Sequence, residues 1–97
     1  MEINIKAIHF DISEKLVDFV NKKIDKMTRR YDFISEADVN LTLVKPESAL
    51  NKEAGIKLKV NGNPDLFASK TADTFEEAID LTLDALKTQL EKIKDKL

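Results

Sequence analysis

The residues of this sequence best suited to bind a ligand are the lysines and arginines of one short stretch, "KKIDKMTRR" at 22–30. Five of its nine residues are basic and one is acidic, although the whole chain has a formal net charge of -2. Clustered ammonium and guanidinium groups bind phosphate, and a local basic surface can do so on a protein that is acidic overall. The stretch therefore suggests a nucleic-acid contact, with a plain solvated helix surface as the alternative.

The basic side chains around this stretch share one face of a helix. At about 100° per residue, a helix over 14–30 gathers its bases into a sector about 120° wide. The members of this sector are Lys15, Lys22, Lys23, Lys26, Arg29 and Arg30. The acids of the segment fall on the other flank, so the basic face is predicted to be largely unneutralised. Phe19 falls within the sector, either as an aromatic of a binding face or as a core residue at the edge of the buried stripe.

Charge is distributed unevenly along the rest of the chain. Residues 13–31 hold six bases and three acids, whereas residues 73–97 hold four lysines and seven acids. The balances of +3 and -3 predict a molecule with a basic side and an acidic side. Lys57 and Lys59 alternate with apolar residues, so they are expected to point away from the helices. Together with Lys6, they predict an open sheet face that is mildly basic.

Residues for catalysis or metal binding are scarce. The chain has no cysteine and one histidine, His9, which excludes disulfides and a zinc site of the usual ligand count. The two glycines, Gly55 and Gly62, are too far apart for a phosphate-binding loop. We therefore predict no enzyme activity, cofactor, metal or small-molecule substrate. The N-terminus resembles neither a signal peptide nor a membrane span, so the predicted location is the cytoplasm.

The elements that must position the lysines follow from hydrophobic periodicity. Period-two alternation predicts strands at 2–9, 37–45, 56–62 and 65–71, and apolar spacings of three and four predict helices at 14–30 and 74–97. Ser13 is the expected N-cap of the first helix, and Asp73 with Glu76 is the expected capping pair of the second. Pro46 is expected to end the second strand. The order β-α-β-β-β-α predicts an α+β two-layer sandwich: a four-stranded, mostly antiparallel sheet with both helices on one face. Residues 1–97 are expected to form a single domain.

Several segments together resemble one protein family. They are "MEINIKAIHFDIS", "VNKKIDKMTRRYDFI", "ADVNLTLVK", "LFASKTADTFEEAIDLTLDAL" and "LKTQLEKIKDKL". Their order and spacing resemble the ribosome hibernation-promoting factor family, also called ribosome-associated inhibitor A or sigma-54 modulation protein. The resemblance covers essentially the whole chain and agrees with the predicted order of elements.

This resemblance implies a fold like a double-stranded-RNA-binding domain and a partner, the small ribosomal subunit. Such proteins contact ribosomal RNA at the decoding centre and silence ribosomes under stress or in stationary phase. Residues that match or adjoin the family's first-helix pattern are Lys22, Lys23, Lys26, Arg29 and Arg30, and those that match its last-helix pattern are Lys92, Lys94 and Lys96. Ala85, Thr88 and Glu91 stand where some members have bases, so the first helix is expected to contribute more. The additional C-terminal domain of long members, and ribosome pairing through it, are not expected.

A second hypothesis is a non-catalytic protein-interaction module. Its docking surface would be the acidic last helix or the open sheet face. Weak homo-oligomerisation is also left open, because Leu81 projects off the apolar stripe of the last helix and offers a contact. The RNA hypothesis predicts binding that weakens steeply with salt, whereas docking through the last helix predicts sensitivity to changes there.

Overall fold

The structure is a computed structural model that describes residues 2–45 and 49–96. Its elements are β1 (Glu2–Ile8), α1 (Glu14–Arg30), β2 (Ile34–Leu43), β3 (Lys52–Val60), β4 (Leu66–Ala72) and α2 (Phe75–Lys94). Pro46, predicted to end the second strand, and Leu97, predicted as the last apolar residue of the final helix, lie outside the described residues. In the described part of the chain, no helix is long and apolar enough to cross a lipid bilayer.

The four strands form one mixed sheet in the order β1-β2-β3-β4. β1 runs parallel to β2, whereas the pairs β2–β3 and β3–β4 are antiparallel. The parallel pair follows from the chain path, because α1 returns the chain to the same end of the sheet before β2 begins. The predicted order of elements and the α+β architecture are confirmed.

One hydrophobic core lies between the sheet and the two helices. β2 and β3 run through the middle of the sheet, and their inward side chains, such as Val39 and Ile56, are completely buried. The helices cover them with residues such as Ile24 of α1 and Leu86 of α2, both also completely buried. Each helix therefore turns its apolar stripe to the sheet and its charged sectors outward.

α1 begins and ends at the predicted residues. Ser13 is its N-cap, and its Oγ accepts a hydrogen bond of 3.1 Å from the N–H of Leu16. The acidic first turn and basic last turn both suit the helix dipole. The buried residues of the helix are Leu16, Val20, Ile24 and Met27. This burial fixes the rotation of α1, so its basic sector lies on the molecular surface.

Two strands begin earlier than predicted. β2 begins at Ile34. The prediction missed its first residues because an irregularity in pairing between Ile34 and Glu36 interrupts the alternation of apolar and polar residues. β3 begins at Lys52, and its first half includes the buried Ala54 and Gly55, two residue types with low strand propensity.

The start of α2 differs from the prediction by one residue. Thr74, not Asp73, is the N-cap, and its Oγ1 accepts a hydrogen bond of 3.1 Å from the N–H of Glu77. Asp73 instead accepts a hydrogen bond of 2.9 Å from the N–H of Leu50. The carboxylate therefore ties the β2–β3 connection to the start of α2 rather than capping the helix.

Candidate nucleic-acid interface

A cleft of about 610 Å³ lies between the exposed sides of α1 and α2. Its apolar surface comes from Met27 and Leu83, and the ring of Tyr31 lies at one end. The charged residues that line it are Lys23, Lys26, Arg29, Arg30 and Lys87, with Asp80 and Asp84. Five bases and two acids give the lining a formal charge of +3. The cleft is therefore an open, basic groove of the kind that accommodates phosphates.

Two ion pairs cross the cleft from α1 to α2. Lys23 Nζ lies 3.2 Å from Asp80 Oδ1, and Arg30 Nη2 lies 3.3 Å from Glu91 Oε1. The prediction of a largely unneutralised basic face is therefore wrong for Lys23 and Arg30. The predicted separation into a basic and an acidic side is also wrong, because the helices pack side by side. That packing places the acids of α2 against the bases of α1.

The remaining bases of α1 keep their charge available. Lys15, Lys22, Lys26 and Arg29 are exposed, and within residues 2–45 and 49–96 none of them forms an ion pair. Lys26 and Arg29 line the cleft, whereas Lys15 and Lys22 do not. These four side chains form the accessible part of the predicted basic surface.

Tyr31 connects the two helices at one end of the cleft. The residue is 2% exposed, and its hydroxyl accepts a hydrogen bond of 3.0 Å from Arg30 Nε. The cationic groups of Arg30 and Lys94 each lie 5.6 Å from the centroid of its ring, within cation–π range. A single buried ring therefore positions one base from each helix.

The same contacts shift three pKa values, and the pKa of the Arg30 guanidinium is raised, chiefly by its hydrogen bond to Tyr31. The pKa of the Glu91 carboxyl is lowered, chiefly by the Tyr31 hydroxyl and further by Arg30. Glu91 Oε2 is shielded from solvent and has no hydrogen-bond partner among the described residues. Burial is the main cause of the raised pKa of Tyr31. The cluster thus favours an ionised Glu91 and a neutral Tyr31.

Phe19 is partly buried against the core rather than free in the basic sector. Lys23 Nζ lies 5.4 Å from the centroid of its ring. The structure therefore supports the simpler of the two interpretations, a residue at the edge of the core. The ammonium group of Lys23 lies within cation–π range of its ring.

The lysines of the last helix do not act on one surface. Lys94 lies on the cleft side, beside Tyr31. At about 100° per residue, Lys92 projects from the opposite flank of α2, where the exposed Leu81 also lies, and Lys96 lies beyond the end of the helix. Of the three predicted lysines, the structure brings only Lys94 close to the bases of α1.

Lys57 and Lys59 lie on the open face of the sheet, in the other layer of the molecule. Lys57 Nζ lies 3.5 Å from Asp65 Oδ2, and Lys59 Nζ lies 3.5 Å from Glu36 Oε2. The strand registers place three lysines on this face, Lys6, Lys57 and Lys59, with four carboxylates, Glu2, Glu36, Asp38 and Glu53. The predicted mildly basic face is therefore wrong, because strand pairing brings acids of β1 and β2 next to the lysines.

Sequence reasoning missed two residues of the cleft. Tyr31 was not identified, although it is the only tyrosine and directly follows the basic stretch. Lys87 was not identified either, although its helical position places it on the same side of α2 as Asp80 and Asp84. The sequence does not show which side of α2 faces α1, and that side determines which residues line the cleft.

Across residues 2–45 and 49–96, no group of three or more histidine, cysteine or acidic side chains could hold a metal ion. His9 is exposed and directly follows β1, where its φ of 67° places it in the left-handed region. It belongs to the turn between β1 and α1.

Comparisons with known proteins agree with this geometry. The family model described as sigma 54 modulation protein / S30EA ribosomal protein matches residues 3–97. A ribosome hibernation promoting factor of Escherichia coli (strain K12) is 34% identical over 97 residues, which cover 100% of this chain and 97% of that protein. One from Azotobacter vinelandii is 32% identical over 96 residues, which cover 99% of this chain and 85% of that protein.

The fold is also found among solved structures. A ribosomal subunit interface protein from Coxiella burnetii superposes with a TM-score of 0.85 at 27% sequence identity. The superposition covers 98% of this chain and 99% of that protein.

Proposed function

The chain belongs to the sigma 54 modulation protein / S30EA ribosomal protein family, and on that premise we propose that it is a ribosome hibernation factor. It binds the small ribosomal subunit at the decoding centre through ribosomal RNA and blocks translation under stress or in stationary phase. Its site of action is then the cytoplasm. The relatives' names, ribosome hibernation promoting factor and ribosomal subunit interface protein, support the association with ribosomes.

The observation that carries the proposal is the basic cleft between the helices. Lys26 and Arg29 line it, are exposed and lack ion pairs in the described part of the chain, and Lys22 extends the same surface. Such side chains bind phosphates by displacing condensed counterions, and they need no chemical step to do so. A protein seated on RNA by these contacts inhibits by occupying space that translation requires.

The helix layer and the sheet layer are proposed to contribute unequally to RNA binding. The bases of α1 and Lys94 form one surface, whereas Lys57 and Lys59 lie on the opposite layer and are paired with carboxylates. One RNA helix could not contact both surfaces at once. We therefore assign the main contact to the helix layer and leave Lys57 and Lys59 as a secondary prediction.

The test measures binding to purified small subunits over a series of salt concentrations. Replacing Lys26 and Arg29 together by Met should lower the affinity about tenfold near physiological salt. The slope of log K against log salt should become shallower by about two, because two phosphate contacts are lost. The double change Lys57→Met with Lys59→Met removes the same charge from the open sheet face. It should lower the affinity for small subunits by less than about threefold.

Two results would contradict the proposal. One is binding that is insensitive to salt and to the replacements in α1, which would favour a protein-interaction module instead. The other is a larger loss from the sheet pair than from the α1 pair, which would move the RNA contact to the opposite layer.

A further inference from the structure

Two carboxylates of α2 contact bases of α1 that belong to the proposed RNA-binding surface. Asp80 contacts Lys23, and Glu91 contacts Arg30, each at hydrogen-bonding distance. All four side chains are between 41% and 60% exposed. Exposed pairs of this kind contribute little net stability, so an incoming anion can replace either carboxylate.

The two ion pairs lie at the two ends of one cleft. Lys23 and Arg30 are seven residues apart on α1, which is about 10 Å along a helix. Lys26 and Lys87 line the cleft between them and form no cross-helix ion pair within the described residues. A ligand that enters along the whole cleft must therefore replace both carboxylates, whereas one that touches only the middle replaces neither.

We infer that Asp80 and Glu91 are specificity-determining residues that compete with phosphate for Lys23 and Arg30. The inference rests on the proposed RNA-binding function and deepens it. RNA of arbitrary shape is held only by the exposed bases, because the two ion pairs stay closed. RNA that presents phosphates at both ends of the cleft gains two further contacts. The carboxylates thus weaken generic binding more than they weaken binding to the intended site.

The test compares Asp80→Asn and Glu91→Gln, each as a single variant, on two ligands. On a fully paired RNA duplex of arbitrary sequence, each change frees one base to contact one further phosphate. Affinity should rise about fivefold near 0.15 M salt, and the slope of log K against log salt should steepen by about one. On purified small subunits the slope should equal that of the wild type, because both bases already contact RNA there.

Asp84→Asn is the matched control. Asp84 lines the same cleft and carries the same charge, but its ion pair is with Lys87 of its own helix, at 4.0 Å, and its side chain is 74% exposed. Removing it leaves both cross-helix pairs closed, and it releases little from Lys87, because 4.0 Å is the outer limit of an ion pair. Duplex affinity should rise by less than about twofold, with no change in slope.

The outcomes separate the inference from the proposed function. If Asp80→Asn and Glu91→Gln behave like Asp84→Asn on the duplex, competition for the bases is refuted. The same conclusion follows if their slopes steepen equally on duplex and subunits. If the wild-type protein does not bind small subunits at all, the proposed function fails, and the duplex series alone still decides whether the carboxylates compete with phosphate.

Discussion

Arg30 donates its Nε–H to the buried hydroxyl of Tyr31 over 3.0 Å, while its Nη2 lies 3.3 Å from Glu91 Oε1 on the other helix. The guanidinium is therefore held from both sides of the cleft, by its own helix terminus and by α2. The hydrogen bond to Tyr31 orients the guanidinium for a phosphate that replaces Glu91. The cluster also contains a carboxyl with a lowered pKa and a tyrosine with a raised pKa.

Glu91 should make stability depend on pH on the acid side. Because its pKa is lower in the folded protein than its ordinary value of 4.5, the folded state binds fewer protons than the unfolded state. The stabilisation is fully present above about pH 4.5 and is lost as the pH falls through the folded-state pKa. Urea unfolding, followed by circular dichroism between neutral pH and pH 3, should show a decline that is smaller in Glu91→Gln than in the wild type. A decline equal in the two proteins would exclude Glu91 as its source.

Tyr31 should make stability depend on pH on the alkaline side. Burial raises its pKa above 10.0, so the folded protein keeps the phenolic proton after the unfolded chain has lost it. Stability should therefore fall as the pH rises above about 10, and Tyr31→Phe should remove this part of the decline. Because the chain has one tyrosine and no tryptophan, the ultraviolet absorbance of the phenolate reports Tyr31 alone. A titration with an ordinary midpoint while helical circular dichroism persists would contradict the assignment.

The sequence predicted the order of elements, the rotation of α1 and the position of its bases because these depend on local periodicity and capping. Val20 and Ile24 define the buried stripe, and the direction of Lys26 follows from it. Contacts between elements were not predictable in this way. Asp80 reaches Lys23 only because α2 packs beside α1, and Glu36 reaches Lys59 only through strand register. The three incorrect charge predictions therefore all depend on helix packing or strand pairing.

Thr82 should stabilise the attachment of α2 to the sheet. It is completely buried, and its Oγ1 lies 3.0 Å from the carbonyl of Ala54 in β3 and 2.7 Å from that of Ala78 in its own helix. Its single hydroxyl proton is shared between these acceptors. Thr82→Val keeps the shape and removes the donor, so it should lower the free energy of unfolding by about 1–2 kcal/mol.

The control for this change is Thr88→Val on the same helix. Thr88 is exposed, and its hydroxyl lies 3.4 Å from the carbonyl of Asp84, a weaker contact that water replaces. Its effect on the free energy of unfolding should stay within about 0.5 kcal/mol. Equal losses in urea unfolding of the two variants would show that the link to Ala54 contributes nothing specific.

The two glycines should respond to alanine in opposite directions. A Cβ added to Gly55 in β3 would lie 3.5 Å from the nearest atom of the Phe67 ring, an ordinary contact distance. Gly55→Ala should therefore fit and stabilise the protein by about 0.5 kcal/mol, since it reduces the freedom of the unfolded chain.

Gly62 has a φ of 74° in the β3–β4 turn, and nothing lies within 4 Å of the added Cβ. Gly62→Ala should cost about 1 kcal/mol for purely conformational reasons. Urea unfolding of both variants checks the signs, and a destabilised Gly55→Ala would mean that the Phe67 ring cannot yield to the added methyl group.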